Sequence, residues 1–438
     1  MFYIDLKKDV FCSPIEVFQQ LRTRGNGIQT FLLQSGSTGR WSFIGLGKRE
    51  TQLNILKSSS LKFRKKLPKD APPFVGGFVG FLSYDYGARL AGVHQSVVDE
   101  VKCPEQYWIF CDRLVAIDHV KKKSWIIGVG ASKSNAMQKR RQIEKMVEQK
   151  LSNEPAQIKT GLLKPNISRR GYLAKIKKIK KYLRDGETYQ VNFSQRFSTK
   201  FSGDPFAIYM RATEINPSPY QAYFESDRWA VVSNSPEELV RGVVKGSSTH
   251  VSTKPIKGTV VRGKNTAEDR RNVARLLKSE KDKAELTMIV DLERNDLGKV
   301  CVPGSVRVTR HRAIEKYSHV IHTVSEVVGI LEKNKTAIDV LDAMFPGGSI
   351  TGCPKKRTME IIDELEDYKR GVYCGSAGYI SLSGNFDFNI MIRTIFASNG
   401  VLSLHSGGGI VADSNAAAEY AETLSKAGAL KKALTRDE

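Results

Sequence analysis

The octapeptide Phe74-Val75-Gly76-Gly77-Phe78-Val79-Gly80-Phe81 alternates large and small residues. A run of that kind reads as a strand whose small positions let neighbouring backbones come close, so it demands a packed sheet. Other segments supply further strands. Ile28 to Gln34 is strand-like and ends at Ser35-Gly36-Ser37-Thr38-Gly39, and Trp125 to Val129 is another such run. Ser134 can cap a helix to about Leu151, with Ile143, Met146, Val147 and Leu151 on one face. Residues 152–166 are polar, contain Pro155 and Pro165, and read as a connector.

Beyond it, helix and strand signals alternate. Tyr172 to Asp185 is helical and Gly186 marks its end. Val191 to Phe197, Trp229 to Val232 and Val401 to Leu404 are strand-like, and Arg393 stands in an otherwise apolar strand. Glu268 to Val290 reads as one long helical stretch with Leu276, Leu277, Leu286 and Ile289 as core positions, and Ala416 to Leu430 as a final helix. This mixed order predicts an α+β or α/β chain built as a large layered sandwich.

Composition narrows the function. The 438 residues are 40% hydrophobic and 26% charged, too apolar for disorder. No apolar run reaches the roughly 18–20 residues that span a bilayer, and Met1 to Lys8 lacks the order of a signal peptide. A cytoplasmic protein is expected. Six cysteines show no CxxC or zinc-like spacing, which suits a reducing compartment. The net charge of +23 admits nucleic acid. The densest run, Lys175 to Lys181, is nevertheless the solvated face of an amphipathic helix, and no nucleic-acid motif accompanies it.

Several residues can carry chemistry. Lys257, in Pro255-Ile256-Lys257-Gly258-Thr259 at the mouth of a turn, is either a loop charge or an amine held in a site. Asp282 and Glu285, and again Glu419 and Glu422, are spaced i,i+3, so each pair shares a helix face. Together they are either surface decoration or oxygen ligands for a hard cation such as Mg²⁺. The turns Pro346 to Gly352 and Ser406 to Gly409 offer backbone N–H groups to an anion, or are structural. Arg393 needs a carboxylate, from a ligand or from the protein. Glu237, at a strand end, is either a general acid whose pKa burial raises or a loop acid. His322 is equally a core histidine.

Taken in order, these segments resemble the chorismate-utilising enzymes, which include anthranilate synthase large subunits, aminodeoxychorismate synthase large subunits, isochorismate synthases and salicylate synthases. The matching motifs are Gly186 to Arg196, Ser235-Pro236-Glu237, Pro255 to Thr259, Asp291 to Asp296, Phe345 to Lys355 and Ser406 to Glu422. Leu32 to Ser35, Gly39 to Ser42 and Gly76 to Gly80 extend the likeness into the N-terminal third. The resemblance implies an α+β fold, a four-layer αββα sandwich with two facing, mainly antiparallel sheets and helices outside. It also implies an N-terminal region over residues 1–150 and a chorismate-binding catalytic region over 167–433, woven into one globular unit.

The resemblance further implies roles. Glu285 and Glu422 match Mg²⁺ ligands, with Asp282 and Glu419 in support through water. Tyr373, Arg393 and the backbone of Gly407, Gly408 and Gly409 match the enolpyruvyl carboxylate site. Lys426 matches a helper for the ring carboxylate, Glu237 the acid that protonates the departing C4 hydroxyl, and His322 a histidine near the ring. Thr259 belongs to the same substrate-binding set. Gln190 replaces the lysine base of isochorismate and salicylate synthases, which argues against water as first nucleophile. Lys257 stands where anthranilate synthases usually carry alanine and C4-aminating members usually carry lysine. That pattern implies a transferase that aminates chorismate at C4 for 4-aminobenzoate and folate synthesis, with ammonia from a separate glutamine amidotransferase subunit. The alternative is the first component of anthranilate synthase. Three departures stand out. Gln34 replaces the Glu of the tryptophan-binding Leu-Leu-Glu-Ser motif, Gln221-Ala222-Tyr223 replaces Met-Phe-Phe, and the stretch from Glu237 to Lys257 is a few residues longer than common.

Overall fold

The computed structural model of the chain describes residues 2–10, 12–22, 28–36, 39–51, 67–148, 156–317 and 320–435. Leu151, His319, Ser37, Thr38 and the start of the expected connector lie outside the described residues. The fold is mixed α and β. Its strands join in one hydrogen-bonded network, and every ladder between named strands among the described residues is antiparallel. No described helix is long and apolar enough to cross a membrane.

The glycine-rich octapeptide becomes the strand Gly77–Leu82, held between Gln106–Asp118 and Ser376–Ser381. Gly80 explains the alternation: a Cβ there would lie 1.9 Å from the Tyr107 carbonyl oxygen. Gln29–Gln34 pairs with Tyr220–Ser226. Strands from the first third of the chain are thus hydrogen-bonded to strands of the last two-thirds.

Several local expectations need correction. Ser134 lies inside the helix Lys133–Glu148, and it is Ser132 that accepts the Asn135 N–H at its start. The helical stretch from Glu268 is two helices, Thr266–Lys278 and Glu280–Gly298, because Ser279 leaves helical geometry and caps the second through Asp282 N–H. Leu277 is exposed rather than core, while Leu276, Leu286 and Ile289 are buried. Ser406 to Gly409 is not a turn. It continues the strand Val401–Ile410, paired with Gln190–Gly203. Arg393 is not within a strand either. It occupies a kink at φ +52° just before Thr394–Ser398.

Two helices position the site. In Glu280–Gly298, Leu286 and Val290 pack in a core with Val240, Val251 and Val327 of the sheet. In Ala416–Leu434, Ala427, Leu430 and Leu434 pack with Phe197, Leu402 and Leu404. Burying each large apolar side chain contributes about 1.5–3 kcal/mol, so both helices are anchored by one face. Glu293 and Asp296 are buried with these side chains on the first helix, and Glu419 is buried on the second.

Candidate active site

Lys257 lies on the strand Ile256–Val261, not in a turn. The strand pairs with Val320–Ile330 and its register shifts between Lys257 and Thr259. Gly258 makes the bulge, at φ +81°, and a Cβ there would sit 2.8 Å from Leu276 Cδ1 and 3.1 Å from Asp282 Cγ. Leu276 of the Thr266–Lys278 helix and Asp282 of the Glu280–Gly298 helix thus crowd this position, and with its positive φ it favours glycine next to the lysine. Thr323 donates its hydroxyl to the Lys257 carbonyl. The Lys257 ammonium, with 19% of its side chain exposed, lies 3.6 Å from Glu285 Oε2.

The other carboxylates also meet lysines. Lys281 Nζ is 3.4 Å from Glu419 Oε1 and 3.9 Å from Glu285 Oε1. Lys426 Nζ is 2.7 Å from Glu422 Oε1 and donates to the Gly407 carbonyl at 3.0 Å. Burial, with Asp282 and Glu419 nearby, raises the Glu285 carboxyl above its usual pKa against the pull of Lys257 and Lys281. At Glu422 burial acts the same way, but Lys426, Lys257 and Lys281 outweigh it and hold that carboxyl low. Among the described residues no three His, Cys, Asp or Glu side chains converge closely enough for a metal ion. The donors are nevertheless all hard oxygens on two facing helices, the chemistry that suits Mg²⁺. Gly408 leaves the space beside them open: its missing Cβ would lie 3.4 Å from Glu419 Oε2 and 3.5 Å from Glu422 Oε1.

Glu237 follows the strand Trp229–Ser235 and is buried. Burial pushes its carboxyl up, although Lys257, a hydrogen bond from the Ser349 hydroxyl at 3.3 Å, Lys426 and Arg393 pull down. Between Glu237 and Lys257 the chain forms a hairpin, Glu238–Lys245 and Ser248–Thr253, and so returns to the site. Arg393 is buried, which lowers its pKa while Glu237 raises it. Its guanidinium forms no ion pair with a carboxylate among the described residues. His322 Nδ1 is 2.8 Å from the Thr259 hydroxyl. Burial and the Arg393 charge lower its pKa to about 4, so the imidazole is neutral at pH 7.

The third side is built from the paired strands Gln190–Gly203 and Val401–Ile410, which set Gly409 opposite Asn192, Gly408 opposite Phe193 and Gly407 opposite Ser194. The Gln190 amide is fully buried, and neither its oxygen nor its nitrogen has a hydrogen-bond partner among the described residues. It lies against Gly409, whose Cβ would meet Gln190 Nε2 at 2.9 Å. Unpaired buried amides are costly, so this one is set to meet a ligand or water. Tyr373 stacks on His405 with ring centroids 5.4 Å apart. It connects to the glycine strand through Asn192, a partner of its hydroxyl.

Lys257, Glu237, Glu285, Glu422, Lys426 and Arg393 are thus electrostatically linked, while Tyr373 stands behind the glycine strand. Sequence reading missed Ser349 on Glu237 and Lys281 between the helices. It also missed Arg370, which is buried, paired with Glu366 and bonded to the Asn192 and Ile350 carbonyls. Lys281 and Arg370 each left a signal, their i,i+4 spacing to Glu285 and to Glu366. Gln34 and Gln221, two of the departures noted above, line one separate cavity of 520 Å³ together with Tyr220, Glu238 and Arg241.

Comparison with known proteins gives a consistent set of likenesses. A family model described as chorismate binding enzyme matches residues 26–432. The chain is 38% identical over 463 residues to aminodeoxychorismate synthase component 1 of Bacillus subtilis, across 99% of this chain and 97% of that protein. It is 36% identical over 431 residues to anthranilate synthase component 1 of Thermus thermophilus, across 92% of each. The solved structure of anthranilate synthase component I from Streptococcus pneumoniae superposes with a TM-score of 0.76 at 29% identity, across 98% of this chain and 92% of that one.

Proposed function

The chain belongs to the chorismate binding enzyme family, and from that premise we propose that it is the large subunit of an aminodeoxychorismate synthase. It aminates chorismate at C4 to give 4-amino-4-deoxychorismate, on the route to 4-aminobenzoate and folate. Ammonia comes from a partner glutamine amidotransferase subunit, and the pair works in the cytoplasm. Its regions 1–150 and 167–433 are woven into one four-layer αββα sandwich, a reading supported by the ladder between Gly77–Leu82 and Ser376–Ser381.

One observation carries this reading: the Lys257 ammonium lies 3.6 Å from Glu285 and within electrostatic reach of buried Glu237. In the proposed reaction the neutral Lys257 amine bonds to C2 as both ring double bonds shift toward C4 and the C4–O bond breaks. Glu237 gives its proton to the departing oxygen, which leaves as water. Ammonia then attacks C4, both double bonds shift back, and the Lys257 nitrogen leaves C2 with its electron pair. The Glu237 carboxylate takes the proton that the new C4 ammonium sheds. Two displacements through a lysine adduct put nitrogen at C4 and leave the enolpyruvyl group in place.

Glu285 and Glu422, with Asp282 and Glu419 in support through water, would hold Mg²⁺, which supplies positive charge to fix the ring carboxylate. Lys426 adds a second positive charge there. Arg393, which forms no ion pair with a carboxylate among the described residues, takes the enolpyruvyl carboxylate with the backbone of Gly407 to Gly409, and Tyr373 backs them. Gln190 offers its unpaired amide to the substrate, and neutral His322, held by Thr259, lies near the ring.

The test is product analysis with chorismate, MgCl₂ and an ammonium salt. The expected product is 4-amino-4-deoxychorismate without pyruvate, and Glu422→Gln should abolish Mg²⁺-dependent turnover. Fluorescent anthranilate with pyruvate would assign the chain to anthranilate synthase instead.

A further inference from the structure

Lys281 stands in the first turn of the Glu280–Gly298 helix and reaches across to the Ala416–Leu434 helix. Its ammonium lies 3.4 Å from Glu419 and 3.9 Å from Glu285, and its charge also lowers the Glu422 carboxyl. One cation therefore serves acids on both helices. Lys257 and Lys426 each form an ion pair with a carboxylate of one helix only, at 3.6 Å and 2.7 Å, although both also lower the Glu422 carboxyl. Lys281 also differs in access: 46% of its side chain is exposed, and its flexible four-carbon stem can swing into solvent without disturbing the core.

Carboxylates gathered on facing helices repel one another unless a positive charge stands between them. In the protein alone, Lys281 supplies that charge between the helices, beside the Lys257–Glu285 and Lys426–Glu422 pairs. A divalent cation taking Glu285 and Glu422 would need the same oxygens and would be repelled by an ammonium left among them. We propose that Lys281 is an internal counter-cation that holds the electrostatic place of the divalent metal between the two helices and must swing out when the metal binds, so that it sets metal affinity. The proposal rests on the reading that Glu285 and Glu422 hold the metal. On that reading Lys281 is a positioning residue, acting through the carboxylates rather than on substrate.

The experiment is an equilibrium titration of the full chain with Mn²⁺ and no chorismate, reading free Mn²⁺ by electron paramagnetic resonance. Lys281→Met and Lys281→Gln should each bind Mn²⁺ about fivefold tighter than the parent protein, the factor expected for losing one competing exposed ion pair. Lys281→Arg should stay near the parent affinity. Without metal, both neutral variants should melt lower than the parent, and Mn²⁺ should raise their melting temperatures by a larger increment. Equal or weaker Mn²⁺ binding in the neutral variants would overturn the lysine's role alone, since a merely structural lysine loses affinity when removed. A parent protein that binds no Mn²⁺, or a Glu422→Gln variant that binds it as well as the parent does, would overturn the metal reading and the proposal with it.

Discussion

The Lys257 nitrogen stands 3.6 Å from a Glu285 carboxylate oxygen, the two carried by a bulged strand and by a helix that presses on Gly258. The contact joins the expected nucleophile to an expected metal ligand, so chemistry at either residue is felt at the other.

Lys257→Ala removes the amine and leaves the strand, whose hydrogen bond from Thr323 uses only the backbone carbonyl. Amination at C4 should fall roughly a hundredfold or more, the scale of losing a positioned catalytic group. Residual chemistry should move toward C2. Rate and product measured by mass spectrometry check this; an unchanged product at an unchanged rate rules out the adduct.

Glu237 must carry a proton to act as an acid, and burial favours that form. kcat/KM should therefore fall as pH rises through its raised pKa, and Glu237→Gln should lose roughly 10²–10⁴-fold in turnover. Stability follows the same sign. The unfolded chain releases this proton near the ordinary glutamate value of about 4.3, whereas the folded chain keeps it to higher pH. Stability contributed below about pH 4.3 is thus lost as pH rises through the folded pKa. Glu237→Gln should melt higher than the parent at pH 7, with the gap closing near pH 4. A gap that widens toward acid would contradict the assignment.

Arg393 is buried and forms no ion pair with a carboxylate among the described residues, Glu237 acting on it only at longer range. Arg393→Lys keeps the charge and loses the planar fork that meets a carboxylate with two hydrogen bonds. Losing one charge-assisted hydrogen bond costs about 1.5–3 kcal/mol, so KM for chorismate should rise roughly 10- to 100-fold. Steady-state kinetics decide it, and an unchanged KM would make Arg393 structural.

Gly408→Ala places a methyl group 3.4 Å from Glu419 Oε2 and 3.7 Å from Lys426 Nζ, ordinary contact distances. The melting temperature should stay within a few degrees of the parent, since the added methyl meets its three nearest neighbours at 3.4 Å or more. Chorismate turnover should fall, because the methyl fills the space beside the paired carboxylates. Full activity at full stability would show that this space is not used.

Much of the site was legible as residue types at helical spacing. Asp282 with Glu285 and Glu419 with Glu422 declare a shared face by i,i+3 periodicity alone. Glu237 after Ser-Pro was visible as a carboxyl at a strand end. Less local features were hidden. The glycines at 407–409 look like a turn because glycine is the commonest turn residue, yet they form a strand. There, a Cβ on Gly407 would lie 2.4 Å from the Phe193 carbonyl oxygen and one on Gly409 2.9 Å from Gln190. Arg393 reads as a strand residue because its neighbours are apolar, but a positive φ leaves no mark on the side-chain pattern. The break at Ser279 was readable in principle, since serine before Glu280 and Asp282 is a helix-start signal.

By itself the sequence determined the mixed α and β character, the acidic helix faces and the order of motifs along the chain. Those depend on local periodicity and on which side chains occur where. The tertiary structure alone decided that the Glu280–Gly298 and Ala416–Leu434 helices share Lys281, that Ser349 bonds Glu237, and that the Gln190 amide is buried without a partner among the described residues. These are relations between segments up to more than a hundred residues apart. They follow from apolar faces packing against one sheet network, and that packing fixes which polar groups meet without being written in any one segment.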